Sequence, residues 1–340
     1  MAILITIIGF GIMVLLHELG HFLVAKKFGV LVHEFSIGMG PKIFSSGKGE
    51  TKYSLRALPI GGFVRLEGEG EIEEAEEKNN PRSFSNLAPI KRIAILVAGA
   101  AMNLLLGWLI FTIINVNFGV STSTITQIAD EYKGQTVLQA GDIIEKMDRK
   151  TIHNFDDVAS FMRDVDGSDI DIVVKRNGEK KNLTITPFNV AGAYKLGAVF
   201  SLEKTGILKS AEYAVYDSIN IAGAVIDAVV DLVSGKESID TLSGPVEIVS
   251  VVGNVTKNYN QYTIVNILIL FAMITVNLGI FNLLPFPALD GGSIVFALYE
   301  LITRKKIKQE IVGYISFVGF ALLMLLAVYV TIGDIRGLIK

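Results

Sequence analysis

Four long apolar stretches set the pattern of this chain, at roughly 2–25, 93–116, 262–284 and 311–332. Each holds the about 20 apolar residues that a helix needs to cross the hydrocarbon of a bilayer. Between the first two, the pattern changes to short β-prone runs at 30–37, 52–55 and 63–66. Gly38, Gly40, Pro41, Gly47, Gly49, Pro59, Gly61 and Gly62 punctuate them, which predicts one or two hairpins. An acidic run at 67–77, followed by Asn79-Asn80-Pro81, predicts a solvated mobile loop.

Between the second and third stretches the chain reads as a small α/β domain over 122–188. Strands are predicted at 143–144, 171–174 and 183–186, and a helix at 155–165 capped by Asn154. Asn177-Gly178, between two β-like runs, predicts a tight hairpin turn. The segment 206–233 has helical periodicity but carries Lys209, Glu212, Asp217, Asp227 and Asp231, which favours an interfacial or domain-docking helix over a span. The expected fold class is an α-helical multi-pass membrane protein with four transmembrane helices. It carries a cytoplasmic or re-entrant β-hairpin region at 30–66 and an inserted extracytoplasmic α/β domain. The expected divisions are 1–116, 117–190, 191–260 and 261–340.

Composition agrees with a membrane protein. The 340 residues are 51% apolar, and the mean hydropathy is +0.49. A net charge of −3 with no dominant basic face gives no reason to expect a nucleic-acid partner. The absence of cysteine excludes disulfides, a thiolate nucleophile and Cys-based metal sites. The first stretch lacks the basic start of a signal peptide and carries His17 and His21 where an apolar region would run, so it reads as a retained span.

Basic residues at the span ends set the expected orientation. Lys26 and Lys27 follow the first span, Lys91 and Arg92 precede the second, and Arg304, Lys305, Lys306 and Lys308 separate the third from the fourth. These loops are then cytoplasmic, and both termini and the region 117–260 lie outside. The expected location is the cytoplasmic (inner) membrane.

The chemistry starts at His17-Glu18-Leu19-Gly20-His21, inside the first span. Residues four apart share a helical face, so both imidazoles can bind one ion from the same side. Glu18, offset by about 100°, can reach a water at that ion without being a ligand. In zinc hydrolases with this spacing the Glu is the general base. Ionisable groups at membrane depth are costly, and functional by default.

A catalytic zinc takes three protein ligands and keeps one position open. His33 falls in the β region and His153 in the outside domain, so the third ligand is expected to be a carboxylate. Asp290 is the candidate. It follows Asn282-Leu-Leu-Pro285-Phe-Pro287-Ala-Leu and precedes Gly291-Gly292. The prolines must break the third helix, and the glycines are expected to loosen the chain just beyond Asp290. The first and third spans both run inward, which brings Asp290 to the depth of His17 and His21.

These two motifs, with Gly99-Ala-Ala-Met-Asn103 in the second span, resemble the site-2 protease family of intramembrane zinc metalloproteases. The nearest branch is the bacterial one, with a single extracytoplasmic PDZ domain. The resemblance implies Zn²⁺ held by His17, His21 and Asp290, with Glu18 activating water. It also implies that Asn282 holds the substrate backbone within the segment broken by Pro285 and Pro287, with Asn277 as a helper. Asn103 is expected to bridge helices or line the cleft, and Ala100 stands where the family usually has a proline.

The 33–66 region resembles the family's re-entrant β-loop, whose strand edge could pair with an unwound substrate. Gln139-Ala-Gly-Asp-Ile-Ile-Glu-Lys-Met-Asp resembles a PDZ segment, and the domain is expected either to bind a C-terminus or to act as a size filter. Implied partners are the bilayer and single-pass membrane substrates after a first extracytoplasmic cut, including anti-sigma factors or remnant signal peptides. Two other classes fit parts of the pattern. Broken helices with polar residues at depth also describe ion-coupled transporters or channels, and a PDZ-like domain could serve a non-catalytic scaffold.

Overall fold

A computed structural model describes residues 2–47, 49–69, 80–239, 242, 244–257 and 262–339. The predicted mobile loop at 67–77 falls largely outside the described residues. The chain divides into two compact units, Met1–Gly107 with Ala222–Lys340, and Trp108–Ile221.

The larger unit is built on long apolar helices: α1 (Ala2–Lys27), the first part of α2 (Pro89–Phe118), α6 (Thr263–Leu283) and α8 (Gln309–Ile339). Two shorter helices, α5 (Pro245–Lys257) and α7 (Asp290–Thr303), join them. Among the described residues five helices are long and apolar enough to cross a membrane. The fifth is α4 (Ile207–Val233), the segment expected to be interfacial. It forms one continuous helix, with no proline to interrupt it and with an apolar sequence between its spaced acidic residues. The second span also continues unbroken through Ala100, with no kink-forming proline there.

The β region consists of two 15-residue strands, β1 (Val32–Ser46) and β2 (Lys52–Leu66). They fold over on themselves. Phe35 pairs with both Val64 and Tyr53, Ile37 with both Gly62 and Leu55, and Ser54 with both Ser36 and Ser45. The layers therefore run 44–46, 52–56, 34–39, 61–66, which leaves the Gly61–Leu66 portion as an edge. Gly38 permits the fold at φ 81°, where a Cβ would lie 2.4 Å from the Leu58 carbonyl oxygen.

Glu34, buried at one layer, is neutralised by Arg56 (2.9 Å) and Lys42 (3.0 Å). Glu67 departs from the solvated-loop expectation. It is 6% exposed, pairs with His33 and accepts from Asn80 Nδ2 at 2.7 Å. A charge run predicts solvation only while its members lack partners; here His33 comes from β1 and Asn80 from the far end of the acidic segment.

The smaller unit holds β3 (Val120–Ile128), β4 (Ile143–Met147), β5 (Lys150–Thr151), α3 (Phe155–Arg163), β6 (Ile170–Arg176) and β7 (Glu179–Ile185). β8 (Phe188–Val190), β9 (Ala193–Lys195) and β10 (Ala198–Glu203) come next in the chain. The sheet runs β10-β3-β4-β6-β7, with β5 on β4. Ile125, Ile144, Met147, Val158, Ile172 and Val174 fill its core.

Asn154 caps α3 by accepting from Asp157 N at 2.9 Å, and Asn177-Gly178 turns β6 into β7 with positive φ at both residues. Asp142, fully buried, accepts from Arg176 Nε at 2.7 Å and from Gln139 N at 2.8 Å, which explains the Ala-Gly-Asp segment locally. Asn115, at the end of α2, and Asn154 both donate to Asp217 of α4, at 3.0 and 3.2 Å.

Candidate metal centre and active site

α1 carries His17 and His21 on one face, with ring centroids 4.7 Å apart and nearly perpendicular. Their Nε2 atoms are 3.1 Å apart, and each lies 3.3 Å from Asp290 Oδ2. Tetrahedral zinc with bonds of about 2.0–2.1 Å requires ligand atoms about 3.3–3.4 Å from one another. The three observed separations match that triangle. His21 Nδ1 donates to the Ile95 carbonyl oxygen at 2.8 Å, which leaves Nε2 as the lone-pair nitrogen. Asp290 Oδ2 is buried without a hydrogen-bond donor. Two imidazole nitrogens and a carboxylate oxygen turned toward one another fit a cation, and no cysteine competes for it.

Asp290 is brought there by the broken segment. α6 ends at Leu283, and α7 begins at Asp290 itself. A carboxylate in a helix's first turn is favoured by the helix dipole. Between the helices, the Phe286 and Leu289 amides donate to the Leu284 and Phe286 carbonyls at 2.7 and 3.1 Å. Ala288 sits at φ 78°, a strained conformation for a residue with a Cβ.

Gly291 and Gly292 do not loosen the chain as the sequence suggested; they lie in α7's first turn. A Cβ on Gly291 would stand 2.0 Å from the Leu284 carbonyl oxygen, and one on Gly292 2.4 Å from that of Phe286. They are glycines because the broken segment folds back against the helix start.

Glu18 lies beside the β2 edge. A Cβ on Gly62 would sit 3.4 Å from Glu18 Cγ. Asn282 Nδ2 is 3.5 Å from His17 Nδ1, on the side of that ring away from Asp290. Asn277, earlier on α6, has a buried amide oxygen without a partner. Pro285 and Pro287 stay in the broken segment, and Pro287 packs on Gly319 of α8. His33 pairs with Glu67; His153, in the other unit, pairs with Asp157 at 3.1 Å and stacks on Tyr216.

Sequence reasoning missed why the histidines can approach α2 so closely. Gly99 supplies the clearance: a Cβ there would stand 2.3 Å from His21 Nε2 and 2.8 Å from His17 Cε1. Gly20, inside the histidine motif, faces the Ala98 carbonyl oxygen, 2.3 Å from where its Cβ would be. The available signal was small residues at both places, the usual mark of close helix packing in lipid.

Comparison with known proteins agrees with this chemistry. Residues 5–326 match the description of peptidase family M50. A protein named as a zinc metalloprotease from Clostridium acetobutylicum is 37% identical over 98% of this chain and 97% of its own length. The zinc metalloprotease RasP of Bacillus licheniformis is 31% identical over 97% of each chain. The regulator of sigma-W protease RasP of Bacillus subtilis is 30% identical over 98% of this chain and 97% of its own. With its long apolar helices, its histidine–aspartate cluster and a family match over nearly its whole length, the chain belongs to peptidase family M50, the site-2 proteases, and is a zinc metalloprotease of the membrane.

Proposed function

We propose that this protein hydrolyses peptide bonds within or at the edge of the bilayer, in membrane-spanning segments already trimmed outside. The observation that carries this reading is the convergence of His17, His21 and Asp290 to ligand atoms within 4.8 Å, beside a carboxylate, Glu18, that is not one of them. His17 Nε2, His21 Nε2 and an Asp290 oxygen would hold the zinc. Its chemistry when bound is polarisation of the scissile carbonyl and a water acidified to a pKa of about 7.

Glu18 takes the proton from the attacking water as its oxygen bonds to the carbonyl carbon. It then gives that proton to the amine nitrogen as the C–N bond breaks. Asn282, helped by Asn277, satisfies backbone groups of the unwound substrate, and Pro285 and Pro287 keep the segment around Asn282 open. The edge at Gly61–Leu66 is suited to pairing with an extended substrate, because it lies against Glu18 and its neighbouring layer is on one side only.

In this reading the protein sits in the cytoplasmic membrane with four spans. The active site is near the cytoplasmic side, and the termini and the smaller unit are outside. Exposed Glu212 and Asp227 support an interfacial place for α4. The smaller unit is PDZ-like. A groove of about 350 Å³, lined by Val158 and Met162 of α3 and by Leu196 and Phe200, runs along its edge strand β10. It binds substrate ends or excludes bulky ectodomains. Anti-sigma factors and remnant signal peptides have the required single-span form, and the name of the Bacillus subtilis relative, a regulator of sigma-W protease, favours the former.

The test is Glu18→Gln, assayed on a single-span substrate in detergent. Cleavage should disappear while one zinc per chain is retained. Undiminished proteolysis by the folded, zinc-loaded variant would sink the mechanism. Loss of wild-type activity and zinc together on chelation separates this reading from a transporter or scaffold.

A further inference from the structure

Both metal-site histidines need a partner for the nitrogen that faces away from the ion, because that contact fixes the tautomer and the ring. His21 has one in the Ile95 carbonyl on α2. For His17 the side chains in contact with Nδ1 offer amide nitrogens, Asn103 Nδ2 at 3.4 Å and Asn282 Nδ2 at 3.5 Å. With Nε2 given to the ion, a neutral His17 carries its proton on Nδ1, so both contacts would be donor against donor.

Asn103 is fully buried, and its Oδ1 has no partner. Oxygen and nitrogen of an amide are interchangeable by rotation. Turning the Asn103 amide over replaces the donor–donor contact and the orphaned acceptor with one hydrogen bond. The amide's N–H then takes the place the oxygen held. Asn282 is only half-buried, and its oxygen is not orphaned, so no such pressure acts on it.

The spacing along α2 gives an independent reason. Ile95, Gly99 and Asn103 recur every four residues and form one stripe on that helix. His21 meets Ile95 and His17 meets Asn103, while Gly99 lies under both rings. This is the pattern of two helices running in opposite directions with the histidines laid along one stripe.

We infer that Asn103 is a positioning residue of the metal centre: its amide oxygen accepts from His17 Nδ1–H and holds Nε2 toward the ion. The inference rests on His17 being a zinc ligand. It also separates the two asparagines, leaving Asn282 free for substrate.

The experiment measures zinc affinity of the full-length protein in detergent by competition with a chelator, alongside thermal melting of the zinc-free forms. Wild-type protein that binds no zinc would refute the reading of the site, not this inference. Given wild-type binding, Asn103→Leu should weaken zinc by about 10–100-fold. Asn103→Asp, which keeps an acceptor oxygen, should restore it. Asn282→Leu should leave zinc affinity as it was while impairing cleavage. Wild-type affinity in Asn103→Leu overturns the inference, as does an Asp variant as weak as the Leu variant. If Asn103→Leu does not fold, Asn103→Ala takes its place in the same comparison.

Discussion

Replacing Gly99 by alanine adds one methyl group, and the structure says where it goes. The new carbon would stand 2.3 Å from His21 Nε2, 2.6 Å from His21 Cε1 and 2.8 Å from His17 Cε1. Ordinary contact between such atoms needs about 3.5 Å, so the rings must retreat by about 1 Å. Metal–ligand distances tolerate about 0.2 Å. Misplacement by about 1 Å at a reacting centre costs about 10²-fold in rate.

Local propensity works the other way, since alanine favours a helix interior over glycine by about 1 kcal/mol. Gly99→Ala should therefore leave α2 intact, weaken zinc about 10–100-fold and lower cleavage by about 100-fold or more. The assay is chelator competition with melting of the zinc-free protein. Gly333→Ala on α8, where the same methyl meets open space, is the matched control and should change neither. A Gly99→Ala protein with wild-type zinc affinity would refute the geometry of the α1–α2 approach.

Other consequences stem from single contacts. Asp290→Ala should lower zinc retention with the protein still folded; one firmly bound zinc per chain would mean another carboxylate is the ligand. Arg92, at the start of α2, pairs with Glu300 near the end of α7, and both are mostly buried. Arg92→Glu should cost about 3 kcal/mol in stability. The exchanged pair Arg92→Glu with Glu300→Arg should recover part of it in thermal melts, and no recovery would show that the two charges are not coupled.

Burial works against the charge of Glu34, but hydrogen bonds from Ser54, Arg56 and Lys42 outweigh it and hold its carboxyl down at about 2. A depressed folded value means the carboxylate stabilises the hairpin above its ordinary pKa near 4.5. That contribution should fade as pH falls from about 4.5 toward 2, read as faster protease nicking of the 32–66 region. Arg56→Met should bring the onset to higher pH, and an unchanged onset would count against the pairing.

What the sequence disclosed and what it hid divide along a physical line. Local signals were legible: uninterrupted apolar runs, the four-residue histidine spacing, the Asn154 cap and the Asn177-Gly178 turn all depend on neighbours in the chain. Features set by distant partners were not. The charge run around Glu67 gave no sign of His33, which arrives from β1, or of the return of Asn80 to it. The alternation in 32–66 marks strands but not their doubling back, which pairs Phe35 with two partners far apart in sequence.

The apolar helices hide most. Every face of a span is hydrophobic whether it meets lipid or protein, so periodicity cannot say which side of α2 packs on α1. Small and polar residues carry that information, and they do so as a set. Gly20 and Gly99 bring the two backbones close, and closeness is what lets the Ile95 carbonyl reach His21. Gly291 and Gly292 do the same for the broken segment, and so put Asp290 at the first turn of α7 rather than in a loop.

The close approach of His17, His21 and Asp290 thus depends on four glycines that are not members of the cluster. The histidine motif names the chemistry, but tolerance to mutation should be governed by those clearances: alanine at Gly99 or Gly291 should be more damaging than at most residues that line the cleft.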